Sequence, residues 1–193
     1  MGLESYGIAS PKMINSADET VFILERVSDA FPVIDIDKKS IHEGTFFETS
    51  VHATLSAGAT YNIVLTTNAS RYIHYRASRI SCSADKLKIS LYEDCTVTAG
   101  ATVTPYNHNR NCTAATTVII VKTANVTADG TLILQSFIGG GTAVGGNYMG
   151  GEGERANGWI LKQSTNYCLR LENGSSGSNI VNVNQVWYEE LKG

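Results

Sequence analysis

The feature that most constrains this chain is a period-two alternation of apolar and polar side chains, in runs of about four to eight residues broken by Gly, Asn, Asp and Ser. Leu87, Ile89 and Leu91 fall on one face of such a run, and Lys86, Lys88, Ser90 and Tyr92 fall on the other. That is the pattern of an antiparallel sheet wet on one side, with Lys86 and Lys88 in water. Comparable strands are expected at 60–66, 71–76, 117–122, 131–137, 159–162, 167–171 and 180–188. Few stretches offer the three-and-four spacing of a helix. The run spacing predicts an all-β fold, an antiparallel β-sandwich of jelly-roll type. Asp129-Gly130 reads as a hairpin turn, Ala57-Gly58-Ala59 as a separator of two strands, and Asn173 to Ser178 as the loop between the last two.

Two stretches break the pattern. Residues 1–40 hold Pro11, Pro32 and two apolar pieces, Val21-Phe22-Ile23-Leu24 and Val33-Ile34-Asp35-Ile36, without the turn spacing that follows. They are expected to form an extended N-terminal arm ahead of a sandwich domain of residues 41–193. The arm would lie on this domain or on a neighbour, each buried Phe or Ile contributing about 1.5–3 kcal/mol. The competing reading makes them the first strands of the sandwich. Residues 139–158 carry nine of the 18 glycines. A phosphate cradle would need a helix after such a stretch, but Trp159-Ile160-Leu161 reads as another strand, so a long surface loop is expected.

Composition narrows the partners. With 15 Lys+Arg against 18 Asp+Glu and only 17% charged residues, the surface must be built from Ser, Thr, Asn and Gly. The near-balanced charge gives no long-range attraction for polyphosphate, so no nucleic-acid partner is expected. No apolar stretch approaches the roughly 18 residues of a membrane span, so no membrane partner is expected either. Met1 to Tyr6 lacks the basic start and apolar core of a signal peptide, and Tyr6 stands where a myristoylation site wants Ser or Thr, so a soluble cytoplasmic product is expected. Cys82, Cys95, Cys112 and Cys168 contain no Cys-x-x-Cys pair and read as buried free thiols. The sequons at Asn68, Asn111, Asn125 and Asn173 would matter only in a secreted protein.

Nothing in the sequence assembles a reaction centre. The string from Asn173 to Ser178 lacks the Gly-x-Ser-x-Gly spacing of a nucleophile elbow. His42, His52, His74 and His108 include no pair at metal-ligand spacing, although His42, Glu43 and His52 could meet if two strands brought them together. Asp35 and Asp37 could share a strand face toward a hard cation, but no calcium-loop pattern surrounds them. The pairs Glu93-Asp94, Glu152 with Glu154, and Glu189-Glu190 are adjacent without any sign of a cleft between them. The run Tyr72-Ile73-His74-Tyr75-Arg76 with Arg79 reads either as a stacking surface or as cross-strand pairs. The expectation is no catalytic residue, no cofactor and no metal.

Several strings, taken together, carry a likeness. They are Ile41-His42-Glu43-Gly44 before Phe46-Phe47, then Tyr92-Glu93, the run from Thr104 to Asn111, the run from Leu161 to Tyr167, and Trp187-Tyr188-Glu189. Over about residues 41 to 190 the chain resembles a family of small structural proteins encoded in tailed-bacteriophage head gene clusters. The resemblance implies a virion component without enzymatic activity, a head decoration (cement) protein on the outer surface of the shell. Its partners would be the major capsid protein and further copies of itself, a trimer by analogy. Interface candidates are then the apolar arm residues Phe22, Ile23, Leu24, Phe31 and Ile34, with His42 and Glu43. The alternatives are a tail or fibre component and a carbohydrate- or receptor-binding module with Trp159 or Trp187 as its stacking platform.

Overall fold

A computed structural model of the chain describes residues 36–84, 86–139 and 158–191. It opens with a short helix, α1 (Ile36–His42), followed by β1 (Phe46–Leu55), β2 (Thr60–Thr66), β3 (Arg71–Cys82), β4 (Leu87–Glu93), β5 (Thr96–Val103) and β6 (Tyr106–Asn107). Then come β7 (Ile119–Ala128), β8 (Thr131–Ile138), β9 (Trp159–Leu161), β10 (Asn166–Asn173) and β11 (Asn179–Leu191). Early strands pair with late ones, β1 with β11, β2 with β10, β3 with β9 and β4 with β8, all antiparallel. The chain is thus a two-stranded ribbon. Rolling that ribbon sets β11 beside β3 and β10 beside β4. The result is two sheets, β6-β1-β11-β3-β9 (sheet A) and β5-β7-β2-β10-β4-β8 (sheet B), the winding of a jelly roll.

Alternation explains which side chains meet between the sheets. Phe47, Val51, Leu55, Ile73, Val181, Val183 and Trp187 from sheet A face Ile63, Leu65, Leu87, Ile89, Leu91, Leu169 and Leu171 from sheet B in one buried core. Leu87, Ile89 and Leu91 of β4 are buried as expected, but the other face is not simply wet: Ser90 is fully buried and Tyr92 half-buried. Lys86 is exposed, whereas Lys88 is half-buried and pairs with Glu172 at 3.0 Å.

The Asp129-Gly130 reading needs correction. β7 and β8 flank that dipeptide, yet they do not pair, and they stand on opposite sides of sheet B. The ribbon of β4 and β8 instead bends over the outer face of the sheet and continues as β5 and β7. Its two crossings are held to β10: Asn166 Nδ2 donates to the Cys95 carbonyl at 3.0 Å, and Arg170 forms a bidentate pair with Asp129. The Arg170 guanidinium holds the Asp129 carboxyl below its ordinary range. Gly130 has φ +74°, and a Cβ there would collide with the Glu93 carbonyl, so the bend needs glycine. Beneath it lies a second small core of Val64, Cys95, Ala124 and Cys168. This is why Ile63, Val64 and Leu65 are all buried although they alternate in face.

All four cysteines are free thiols, with Cys82, Cys95 and Cys168 buried and Cys112 half-buried. A hydrogen bond from Cys168 lowers the Cys95 thiol below its usual range, and the same bond with burial raises Cys168. Reaction needs access as well as thiolate, and Cys95 is only 4% exposed. A disulfide reagent such as Ellman's should therefore titrate one thiol in the folded protein, Cys112, and all four after denaturation. Rapid release of two or more equivalents before unfolding would contradict this arrangement.

The compact unit begins at Ile36, five residues before the domain start expected at 41. Helix α1 carries Asp37 in its first turn, and Arg76 Nε and Nη2 reach that carboxylate at 3.0 and 2.6 Å. Residues 36–40 therefore belong to the sandwich domain. The rest of the expected arm and most of the 139–158 loop lie outside the described residues.

Candidate functional site

Segments distant in sequence converge at the β6 end of sheet A. β6 pairs with β1, setting Tyr106 opposite Glu48 and Asn107 opposite Phe47, while Phe47 also faces Trp187 on β11. Asn107 is buried, and its side chain ties three segments together. Nδ2 donates to the Gly44 carbonyl at 2.7 Å and the Ala114 carbonyl at 3.3 Å, and Oδ1 accepts from the Asn109 amide at 2.8 Å. Asn109 Nδ2 in turn donates to the His42 carbonyl at 3.1 Å. Gly44, at φ +71°, packs against Cys112 so closely that a Cβ would collide with its sulfur.

Glu189 locks the other side of this corner. It is 5% exposed and accepts from the Thr117 amide at 2.9 Å, from Thr117 Oγ1 at 2.9 Å and from the Thr116 hydroxyl. The carboxylate thus supplies hydrogen-bond partners for residues 116 and 117, which enter β7 before its pairing with β2 begins. Glu190 points to the opposite face and bonds His74 at 2.9 Å. The adjacent carboxylates 189 and 190 therefore share no site.

On the outer face of sheet A at this corner lies a cleft of about 410 Å³, lined by Glu48, Ser50, Tyr106, Asn107, His108 and Arg110. Glu48 and Ser50 project outward from β1 because Phe47, Thr49 and Val51 project inward. His108 Nε2 bonds Glu48 Oε2 at 2.8 Å, and its ring meets Phe46 edge-on at 4.8 Å between centroids. The Arg110 guanidinium lies 5.7 Å from the centroid of Tyr106, whose side chain is 60% exposed. Tyr106, Asn107, His108 and Arg110 fall in the run from Thr104 to Asn111 noted in the sequence, but nothing there paired that run with Glu48 and Ser50, because the cleft joins positions about sixty residues apart.

The other expected positions are dispersed. His42 is exposed at the end of α1, and Glu43 is exposed beside Lys39 at 3.7 Å. His52 is exposed on β1, and no group of three metal-ligating side chains occurs among the described residues. Asp37 is on a helix and paired with Arg76, so the idea of a cation on a shared strand face with Asp35 fails for Asp37; Asp35 lies outside the described residues. The aromatic and basic run of β3 is a cross-strand ladder: His74 stacks on Tyr188 at 4.2 Å, and Arg76 lies 5.4 Å from the same ring. Trp187 is fully buried, which removes it as a sugar platform, while Trp159 is 41% exposed. Asn173 is 1% exposed, so its sequon is closed in the folded protein. Phe22, Ile23, Leu24, Phe31 and Ile34 lie outside the described residues.

A second surface stands out at the opposite edge. β8 and β9 end their sheets, and no strand pairs with their outer edges among the described residues. Leu134 and Trp159 lie opposite buried Leu91 and Tyr75 and so face inward, yet they are 45% and 41% exposed. Phe137 and Ile160, on the outer faces, are 67% and 65% exposed. Neither strand carries a charged residue or a proline, the usual guards of a free edge.

Comparisons of the chain with protein-family models, with curated proteins and with solved structures return no match. The class is therefore set by the strand order alone: an all-β jelly-roll sandwich.

Proposed function

We propose that this chain is a virion structural protein of a tailed bacteriophage, a capsid decoration (cement) protein that binds the outer surface of the major capsid protein shell and stabilises the head. The observation that carries this reading is the edge formed by β8 and β9, which no strand covers among the described residues. A long-lived soluble protein pays for such an edge in aggregation unless a partner covers it. The likeness to phage head proteins supplies the identity of that partner. Three of its strings, those around Gly44, Asn107 and Trp187, build a single corner of sheet A, which supports reading them as one structural unit. In this reading the protein acts as a homo-oligomer, and Phe22, Ile23, Leu24, Phe31, Ile34, His42 and Glu43 add contacts to neighbouring chains.

The test is to mix the purified protein with cognate capsids freed of it, sediment them and count bound copies. Saturable binding in a number commensurate with the shell's symmetry is expected. A Phe137→Asp, Ile160→Asp variant should keep its melting temperature and bind at least about tenfold more weakly, as loss of a central apolar anchor does. A chain beginning at Ile36 should stay folded and lose attachment. No binding to capsids, beside assembly with tails or fibres, would overturn the assignment.

A further inference from the structure

We propose that the cleft beside β6 binds a saccharide that carries a carboxylate. Three properties of its lining point to that chemistry. First, Tyr106 lines the cleft and is 60% exposed, an apolar ring of about the size of a sugar ring, and the volume of about 410 Å³ suits one or two sugar units. Secondly, the charges divide into a used pair and an unused cation. Glu48 is engaged by His108 at 2.8 Å, whereas Arg110 makes no ion pair among the described residues. A planar guanidinium held beside an aromatic ring is suited to a bidentate carboxylate. A neutral sugar would leave it unused.

Thirdly, the remaining polar groups suit hydroxyls. Glu48 and Ser50 stand side by side on the outer face of β1, one an acceptor and the other both donor and acceptor. The loop that carries His108 and Arg110 is already tied down by Asn107, so little ordering cost attaches to binding. An acidic peptide could satisfy Arg110 but would make no use of the paired plane and hydroxyl partners. The proposal does not rest on the capsid reading, and its assay needs no capsid.

The test is titration of the full chain, followed by NMR, with the methyl glycosides of glucuronic acid and of N-acetylneuraminic acid, against methyl glucoside and a tetraglutamate peptide. At least one acidic glycoside should saturate in the millimolar range expected for a single sugar, with methyl glucoside at least about tenfold weaker. Arg110→Ala should bring the acidic glycoside down to the level of the neutral one, and Tyr106→Ala should remove binding of both. Both side chains are exposed, so both variants should melt with the wild type. Failure of both acidic glycosides to saturate, equal binding of the neutral one, indifference to both substitutions, or preference for the peptide would each overturn the proposal.

Discussion

Trp187→Ala is expected to destabilise the protein by about 3–5 kcal/mol, the usual cost of deleting a large aromatic from a packed core. Trp187 is the largest fully buried side chain and stacks on Phe47 with ring centroids 6.2 Å apart. The indole lies where β1 and β11 pair, so its loss opens a cavity between the register partners Phe47 and Trp187 themselves. Neighbouring strands cannot collapse into that space without breaking the β1·β11 ladder. Against a typical total of 5–15 kcal/mol, such a loss is a large share of the stability. For a domain of this size it corresponds to a fall in melting temperature of roughly 6–20 °C. Trp187→Phe keeps most of the volume and should cost much less. A fall of under about 3 °C for the alanine variant would mean that Trp187 does not hold the two strands. Any binding defect in that variant would then report on folding, since the ring has no exposed surface to offer a ligand.

Asn173→Ala is expected to cost about 3 kcal/mol, and Asn173→Asp at least as much, although aspartate is nearly isosteric. The Asn173 amide nitrogen donates to the carbonyls of Leu55, Ser56 and Gly177 at 3.0, 2.9 and 2.8 Å. Its oxygen accepts from the amide and hydroxyl of Ser175 at 3.0 and 2.7 Å. One side chain thus closes the end of the sandwich, joining the β1–β2 turn to the β10–β11 loop. Alanine removes three donor bonds at once: the one to the Leu55 carbonyl is buried, while the Ser56 and Gly177 carbonyls keep the Ala59 amide and the Ser175 hydroxyl, and a lost partner costs about 1–3 kcal/mol where water cannot replace it. Aspartate puts a carboxylate against those same carbonyls. It has no hydrogen to donate when ionised and must either repel them or take up a proton. Chemical denaturation of the two variants decides the matter. An aspartate variant as stable as the wild type would rule out the donor role, and an alanine variant losing under about 1 kcal/mol would show that water enters the loop.

Asn173 also shows the limit of reading a motif by its letters. In sequence it begins both a sequon and a Gly-Ser-Ser-Gly stretch, and either pattern suggests an accessible loop. In the fold the same amide is a buried plug. The surface positions Asn68, Asn111 and Asn125 kept the exposure that a sequon needs. What separates the four is the number of carbonyls the turn brings to one point, and no local pattern records that number.

Strand faces were legible because side-chain direction in a strand is local. Thr60 to Thr66 is β2 with its expected bounds, and the alternation in β11 names the buried residues correctly, whereas in β4 it misses Ser90, which is buried on the face expected to be wet. β1 and β5 were harder to see. Thr49 and Ala53 interrupt the inward apolar series of β1, and β5 is a run of Thr, Ala and Gly that is mostly exposed. Helix α1 has seven residues, too few for a helical period to repeat.

The chain's own letters, then, determined the class of the protein: period two, turn residues at short intervals and a low charge content leave an all-β sandwich as the way to bury its apolar faces. Only the tertiary structure decided what lies next to what. Asp129-Gly130 has the letters of a hairpin but joins strands on opposite sides of a sheet, because the ribbon is long enough to bend across its outer face. Glu48 and Arg110 meet at one cleft, and β8 and β9 become edges, for the same reason. Rolling a ribbon brings together residues by their distance from its closed end, a quantity that depends on every pairing at once and on no single stretch of sequence.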